Sequence, residues 1–180
     1  MVYIILGKGF EEIEAVAPCD ILRRGGVPVR FAAVGNEINV VGSHGITVSA
    51  DVAAAEISPK ADDVFVIPGG SAGVNSIKAD GITMKLIETA AEKGAFLAAI
   101  CAGPSVLAKL GLTDGKHITC YPGCEDMMGK AICDTNKPTV SDASLITGRA
   151  AGSAIDFGLA LLAHLKGEAA AEKIKTNLVY

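Results

Sequence analysis

Short apolar runs alternate with segments of helical periodicity along this whole chain, and that alternation constrains its fold more than any other feature. VYIIL (2–6), VRFAAV (29–34), VFVI (64–67), FLAAI (96–100), ITCY (118–121) and SLIT (144–147) each read as a strand. INVVGSHGITVSAD (38–51) holds two shorter β runs separated by Gly42 and Gly45, a hairpin or a strand with a break. Ile13, Val16, Ala17, Ile21 and Leu22 recur at helical spacing and predict a helix from Phe10 to about Arg24, stopped by Gly25-Gly26. Pro18 inside it is expected to kink the helix or disturb one turn. Further helices are predicted from about Ile82 to Lys93, from about Pro104 to Leu110, over 152–167 and from Glu168. Strands separated by helices of this length imply right-handed crossovers and a mainly parallel, doubly wound α/β sheet with helices on both faces. No repeat or linker divides the 180 residues, so one domain over 1–180 is expected.

Composition agrees with that class. Half the chain is apolar, only 4% is aromatic and Trp is absent, so the core is built from Val, Ile, Leu and Ala, as in a buried parallel sheet. The formal charge is -4 with no Lys/Arg run, which argues against nucleic acid as a partner. The longest apolar run, Phe96 to Ala108, is too short and too broken by Gly-Pro to cross a bilayer. The N-terminus lacks the basic leader of a secretory signal. Five irregularly spaced cysteines fit a reducing compartment. A cytoplasmic protein without membrane contact is the expectation.

In doubly wound sheets, sites gather where strands end and loops turn into helices. Three turns qualify: Gly7-Lys8-Gly9, Pro68-Gly69-Gly70, and Cys101-Ala102-Gly103-Pro104. Cys101 follows the strand FLAAI and precedes a helix opened by Pro104, which suits a first helical turn. A residue on such a turn is pushed out at the sheet top, as in a nucleophile elbow. The positive end of the helix is expected to lower the thiol pKa. Backbone N–H groups near Ala102 and in the Pro68-Gly69-Gly70 turn are candidates to bind a developing oxyanion. The alternative is ordinary packing, since cysteine is often buried.

A nucleophile needs a proton partner, and His44, His117 and His164 occupy no clear place for one. FEEIE puts Glu11, Glu12 and Glu14 at the start of the first helix, near the end of the first strand. Glu14, flanked by Ile13 and Ala15, would have a raised pKa when buried and could donate a proton to the sulfur. For Glu11 and Glu12 the simpler role is the acidic preference of a helix N-terminus.

GKGFEEIEAVAPCDILRRGG, VFVIPGG, AAICAGPSVLA and ITGRAAGSAIDFGLALL resemble, in the same order, the DJ-1 branch of the ThiJ/PfpI superfamily, over essentially the whole chain. The resemblance implies a flavodoxin-like fold related to class I glutamine amidotransferases. It implies Cys101 as a reactive, peroxide-sensitive nucleophile, Glu14 as its hydrogen-bonding acid, and Gly69, Gly70 and Ala102 as amide donors to the pocket. It places Arg149 near the site and the helix bearing Arg23 and Arg24 in a homodimer interface. Departures accompany the matches: Tyr121 stands where many relatives have a histidine, His44 where a relative has an arginine, and Ala150-Ala151 where Gly-Pro follows Arg149. The superfamily's peptidases have His directly after the cysteine, where this chain has Ala102. Class I amidotransferases need a His-x-Glu pair that neither His117-Ile-Thr nor His164-Leu-Lys supplies.

Cys120, Cys124 and Cys133 form C-x3-C-x8-C, which lacks the C-x2-C pair of a structural zinc site, so no metal is expected. Cys120 or Cys124 would resolve a Cys101 sulfenic acid if either lay beside it; otherwise these are ordinary thiols. Cys19 is expected in packing or at a dimer surface. The leading expectation is an enzyme without cofactor that acts on small dicarbonyls or on glycated proteins through Cys101 and Glu14. The alternative is a redox sensor or chaperone-type stress protein with an oxidisable Cys101.

Overall fold

The computed structural model describes residues 1–180. In chain order the elements are β1 (Val2–Leu6), α1 (Glu12–Arg24), β2 (Val29–Ala33), β3 (Asn39–Val41), β4 (Thr47–Ser49), β5 (Val52–Ala53), β6 (Val64–Ile67), α2 (Ser71–Ala79) and α3 (Gly81–Glu92). Then follow β7 (Phe96–Ile100), α4 (Pro104–Lys109), β8 (His117–Ile118), β9 (Ile132–Cys133), β10 (Thr139–Asp142), β11 (Leu145–Gly148), α5 (Ala154–Lys166) and α6 (Glu168–Asn177). The central sheet has the order β10-β11-β7-β6-β1-β2-β5. Every pair in it is parallel except β10 with β11. This is the mainly parallel, flavodoxin-like sheet expected from the sequence.

Strand alternation sorts the core onto two faces. Ile4, Leu6, Val64, Val66, Ala98 and Ile100 face one side, packed with Leu22 of α1 and Phe157 and Leu161 of α5. Ile5, Phe65, Ile67, Leu97 and Ala99 face the other, packed with Ile77 of α2, Ile87 of α3 and Leu107 of α4. Both faces are covered, which is why the strands read as unbroken apolar runs. Pro18 lies inside α1 without ending it. There α5 comes in close, and a Cβ on Gly158 would stand 3.0 Å from Pro18 Cα. No helix is long and apolar enough to cross a membrane.

Three elements differ from the sequence expectation. A nine-residue helix, α2, follows Gly70, where no helix was predicted. Within ITCY only Ile118 is strand, and it pairs with β9 in a separate two-stranded sheet. Thr119 ends that run by donating its N–H to Thr147 Oγ1 at 2.8 Å. The edge position beside β11 belongs to β10, a strand that was not predicted.

Since β1 has β2 on one side and β6 on the other, the chain reverses its direction of winding between β1 and β6. That crevice at the strand ends is where a doubly wound sheet builds a site.

Candidate active site

The loop after β1 is held from both sides of the crevice. Gly9 N–H donates to Val41 O at 2.8 Å, Ser43 N–H to Phe10 O at 2.8 Å and Glu11 N–H to Gly69 O at 3.0 Å. The loop, the β3–β4 hairpin and the turn after β6 are thereby tied together. Glu11 caps α1, its Oε2 accepting Glu14 N–H at 2.8 Å. The first turn of α1 then directs Glu14 inward, where it is only 1% exposed.

Cys101 arrives from the other side. Its φ of 64° lies in the left-handed region, costing an L-residue with a side chain on the order of 1 kcal/mol. Surrounding bonds impose this conformation. Cys101 N–H donates to Gly148 O at 2.9 Å, Tyr121 N–H donates to Cys101 O at 3.0 Å, and Gly103 N–H donates to Ile100 O at 2.8 Å. The sharp turn from β7 into α4 leaves the sulfur partly exposed. This is the elbow that the sequence predicts.

Acid and thiol meet across Gly69. Its N–H donates to Glu14 Oε2 at 2.7 Å. A Cβ on Gly69 would stand 2.6 Å from that oxygen and 3.0 Å from Cys101 Sγ, so only glycine lets the two groups share the pocket. Glu14 Oε1 has no conventional hydrogen-bond partner, and the Cys101 thiol lies against the carboxyl. The amides of Ala102 and Gly70 hydrogen-bond toward the sulfur and make no backbone bond elsewhere.

Burial pushes the Glu14 carboxyl up to about 7; hydrogen bonds from Cys101 and Gly69 oppose the rise and the charge of Glu11 adds to it. Burial also pushes the Cys101 thiol up, and an ionised Glu14 pushes it further, while the Ala102 and Gly70 amides pull the other way. The thiol is therefore raised, not lowered as the sequence predicts. The six-residue α4 offers a weak dipole, and burial together with the adjacent carboxylate outweighs it. Charge on Glu14 adds to the penalty that burial already places on the thiolate.

Above the sulfur opens a cavity of about 670 Å³, with His44, Tyr121 and Cys124 in its wall and Ala150, Ala151 and Gly152 completing it. His44 is fixed by Glu12, whose Oε2 lies 2.9 Å from His44 Nδ1 and accepts Ser43 Oγ–H at 3.0 Å, while Oε1 accepts His44 N–H at 2.7 Å. Burial raises the Glu12 carboxyl, but the His44 and Ser43 hydrogen bonds prevail and hold it at about 2. The pairing with Glu12 raises His44 in turn. Glu12 thus clamps the hairpin to the helix, a role beyond the helix-end preference read from the sequence. Glu11, Glu12 and His44 bring donor atoms within 4.8 Å of one another, but the oxygens of Glu12 and Nδ1 of His44 are already committed to the clamp.

Other expected residues fall outside the cavity. The N–H of Gly69 is spent on Glu14, which removes it from the oxyanion donors and leaves Gly70 and Ala102. Arg149 does not line the cavity; its N–H holds Pro138 O at 2.9 Å, and only the residues after it reach the wall. Arg23 and Arg24 sit at the far end of α1, roughly 14 Å along the helix from Glu14. There Arg23 Nη2 donates to Val29 O at 3.0 Å and Arg24 pairs with Asp20 at 2.6 Å. Cys120 is fully buried away from the cavity, so of the two cysteines considered as partners for Cys101 only Cys124 shares its pocket. Cys19 is a buried packing residue.

The chain is similar to known proteins along nearly its whole length. Residues 1–164 match the model of the DJ-1/PfpI family. Protein dj-1beta of Drosophila melanogaster is 32% identical over 98% of this chain and 95% of its own length. A Caenorhabditis elegans protein named glutathione-independent glyoxalase DJR-1.2 is 33% identical over 87% of this chain and 83% of its own. Among solved structures, a cysteine-to-alanine mutant of a DJ-1 superfamily protein from Salmonella typhimurium superposes with a TM-score of 0.93 at 28% identity, covering 99% of this chain and 97% of that one. Drosophila melanogaster DJ-1beta gives 0.90 at 31% identity, covering 99% and 96%. The chain belongs to the DJ-1/PfpI family, in its DJ-1 branch.

Proposed function

We propose that the protein is a glyoxalase that converts small dicarbonyls to hydroxy acids at Cys101, with Glu14 as the proton carrier. The observation that carries this reading is the juxtaposition, through Gly69, of a buried carboxyl and an elbow thiol beneath an open cavity. The glyoxalase name of the Caenorhabditis elegans relative supports it. With methylglyoxal, the carboxylate of Glu14 takes the thiol proton as sulfur attacks the aldehyde carbon. The carbonyl electrons move to oxygen, next to the amides of Gly70 and Ala102, and Glu14 returns the proton to give a hemithioacetal. Glu14 then removes the hydrogen from that carbon, leaving an enediolate, and delivers it to the neighbouring carbon as the hydroxyl proton passes between the two adjacent oxygens. The product is a thioester, and water hydrolyses it to lactate and free Cys101. No redox partner is consumed. A carboxyl poised near 7 suits a group that must both accept and donate protons. The same addition to a glycated amine's carbonyl would describe action on glycated proteins.

The test is turnover of methylglyoxal by the purified protein beside Cys101→Ser and Glu14→Gln. Both variants are expected to lose on the order of a hundredfold or more; equal turnover by all three overturns the reading.

A second reading rests on the two spare amides at the sulfur. With a protonated Glu14 they would also stabilise an oxidised, anionic Cys101, as in a redox sensor or chaperone-type stress protein. A solved relative is described as oxidized Toxoplasma gondii DJ-1. Protection of a client protein without dicarbonyl turnover would favour it. Under either reading we propose a homodimer through α1, whose outer face shows Ile13 and Val16 to solvent.

A further inference from the structure

Two cysteines outside the site are neighbours. β8 and β9 pair in parallel with Ile118 opposite Cys133, and Cys120 follows two residues beyond Ile118. Cys120 belongs to the apolar cluster on this face of the sheet and Cys133 packs against the same cluster, so that each thiol bears on the ionisation of the other. Cys120 is fully buried and Cys133 is partly exposed. The next residue, Tyr121, donates its N–H to Cys101 O. The span between the two cysteines contains Cys124, which lines the cavity.

We propose that Cys120 and Cys133 are a reversible dithiol–disulfide couple built into the segment that forms one wall of the Cys101 cavity. The two sulfurs have different roles. Cys133 is the one a solvent oxidant reaches, and Cys120 is held behind it as the resolving thiol. Their mutual influence has the same sense: Cys133 adds to the rise that burial imposes on Cys120, while Cys120 opposes the rise that burial imposes on Cys133.

With a peroxide as oxidant, Cys133 sulfur attacks one peroxide oxygen and the O–O bond breaks. This gives a sulfenic acid and one water. Cys120 sulfur then attacks Cys133 sulfur, the S–O bond breaks, and the departing hydroxide takes the Cys120 proton as a second water. Two thiols and one hydrogen peroxide become one disulfide and two waters, and a small thiol reverses the change. Closing the loop ties the Tyr121–Cys124 wall to β9 and restricts its motion.

Cys101 is not needed for this step, so the test removes it. Cys101→Ser leaves four of the five cysteines. It is treated with a small excess of hydrogen peroxide, denatured, counted for free thiols and mapped by mass spectrometry. The expected result is a fall from four thiols to two, a linked peptide pair containing Cys120 and Cys133 that is lighter by two hydrogens, and full recovery with dithiothreitol. Adding Cys133→Ser should abolish the link. A disulfide through Cys124, a link between two molecules, or Cys133 driven to sulfinic acid with Cys120 still a free thiol would each overturn the proposal. None of these outcomes depends on dicarbonyl turnover.

Discussion

Gly69 donates its N–H to Glu14 Oε2 over 2.7 Å, joining residues 55 positions apart. The same residue keeps the acid and the nucleophile together by having no side chain. A methyl at this position would stand 2.6 Å from Glu14 Oε2 and 2.8 Å from Cys101 Cβ, and neither neighbour can retreat. Glu14 is sealed in by the first turn of α1, and Cys101 is locked by bonds to Gly148 and Tyr121.

Gly69→Ala is therefore expected to displace the carboxyl from the sulfur. Destabilisation of about 1–3 kcal/mol should appear in urea unfolding, the usual range for overpacking a tight site. Alkylation of Cys101 by iodoacetamide should change its pH dependence in the same protein. Wild-type stability together with a wild-type alkylation profile would show that the contact tolerates a methyl.

Glu14 predicts an unusual pH dependence of stability. Its carboxyl is raised from 4.5 to about 7 in the folded chain, so between those values the folded state binds the extra proton. Stability contributed by this group is full below pH 4.5 and is lost as pH rises through 7, on the order of 3 kcal/mol in total. Glu14→Gln should flatten that decline and leave the variant more stable than the wild type at pH 8. Glu12 has the opposite sign: held at about 2, it adds stability above pH 4.5 that disappears as pH falls toward 2. Chemical denaturation of wild type, Glu14→Gln and Glu12→Gln from pH 3 to 8 separates the two windows. A wild-type curve that rises from pH 5 to 8 would overturn the assignment for Glu14.

The elbow and its acid were legible because each leaves a local mark. Cys101 stands between an apolar strand and Gly-Pro, and Glu14 stands among apolar neighbours beside a strand end. The α2 helix was hidden because only Gly73, Val74 and Ile77 of its nine residues are buried, too few to set a helical period. ITCY carries strand-forming residues but joins only a two-stranded side sheet, while the edge of the central sheet is TVSD, whose own pattern is weak. The direction of the thiol shift, the use of the Gly69 amide and the Glu12–His44 clamp all depend on distances between distant segments. No spacing within the chain encodes those distances.

The strained backbone at Cys101 gives the last prediction. At φ 64° any residue with a Cβ pays a steric penalty that glycine escapes. Ordinarily a glycine in place of alanine costs stability, because the unfolded chain gains freedom. Here the order should reverse. Cys101→Gly is expected to be more stable than Cys101→Ala by about 1 kcal/mol, since both lack the sulfur and differ only in the strained methyl. Paired urea titrations of the two variants measure this directly. If Cys101→Ala proves the more stable, the left-handed conformation is not retained without the thiol. The sulfur's own contacts with Glu14 and the Gly70 and Ala102 amides would then be what holds the elbow in place.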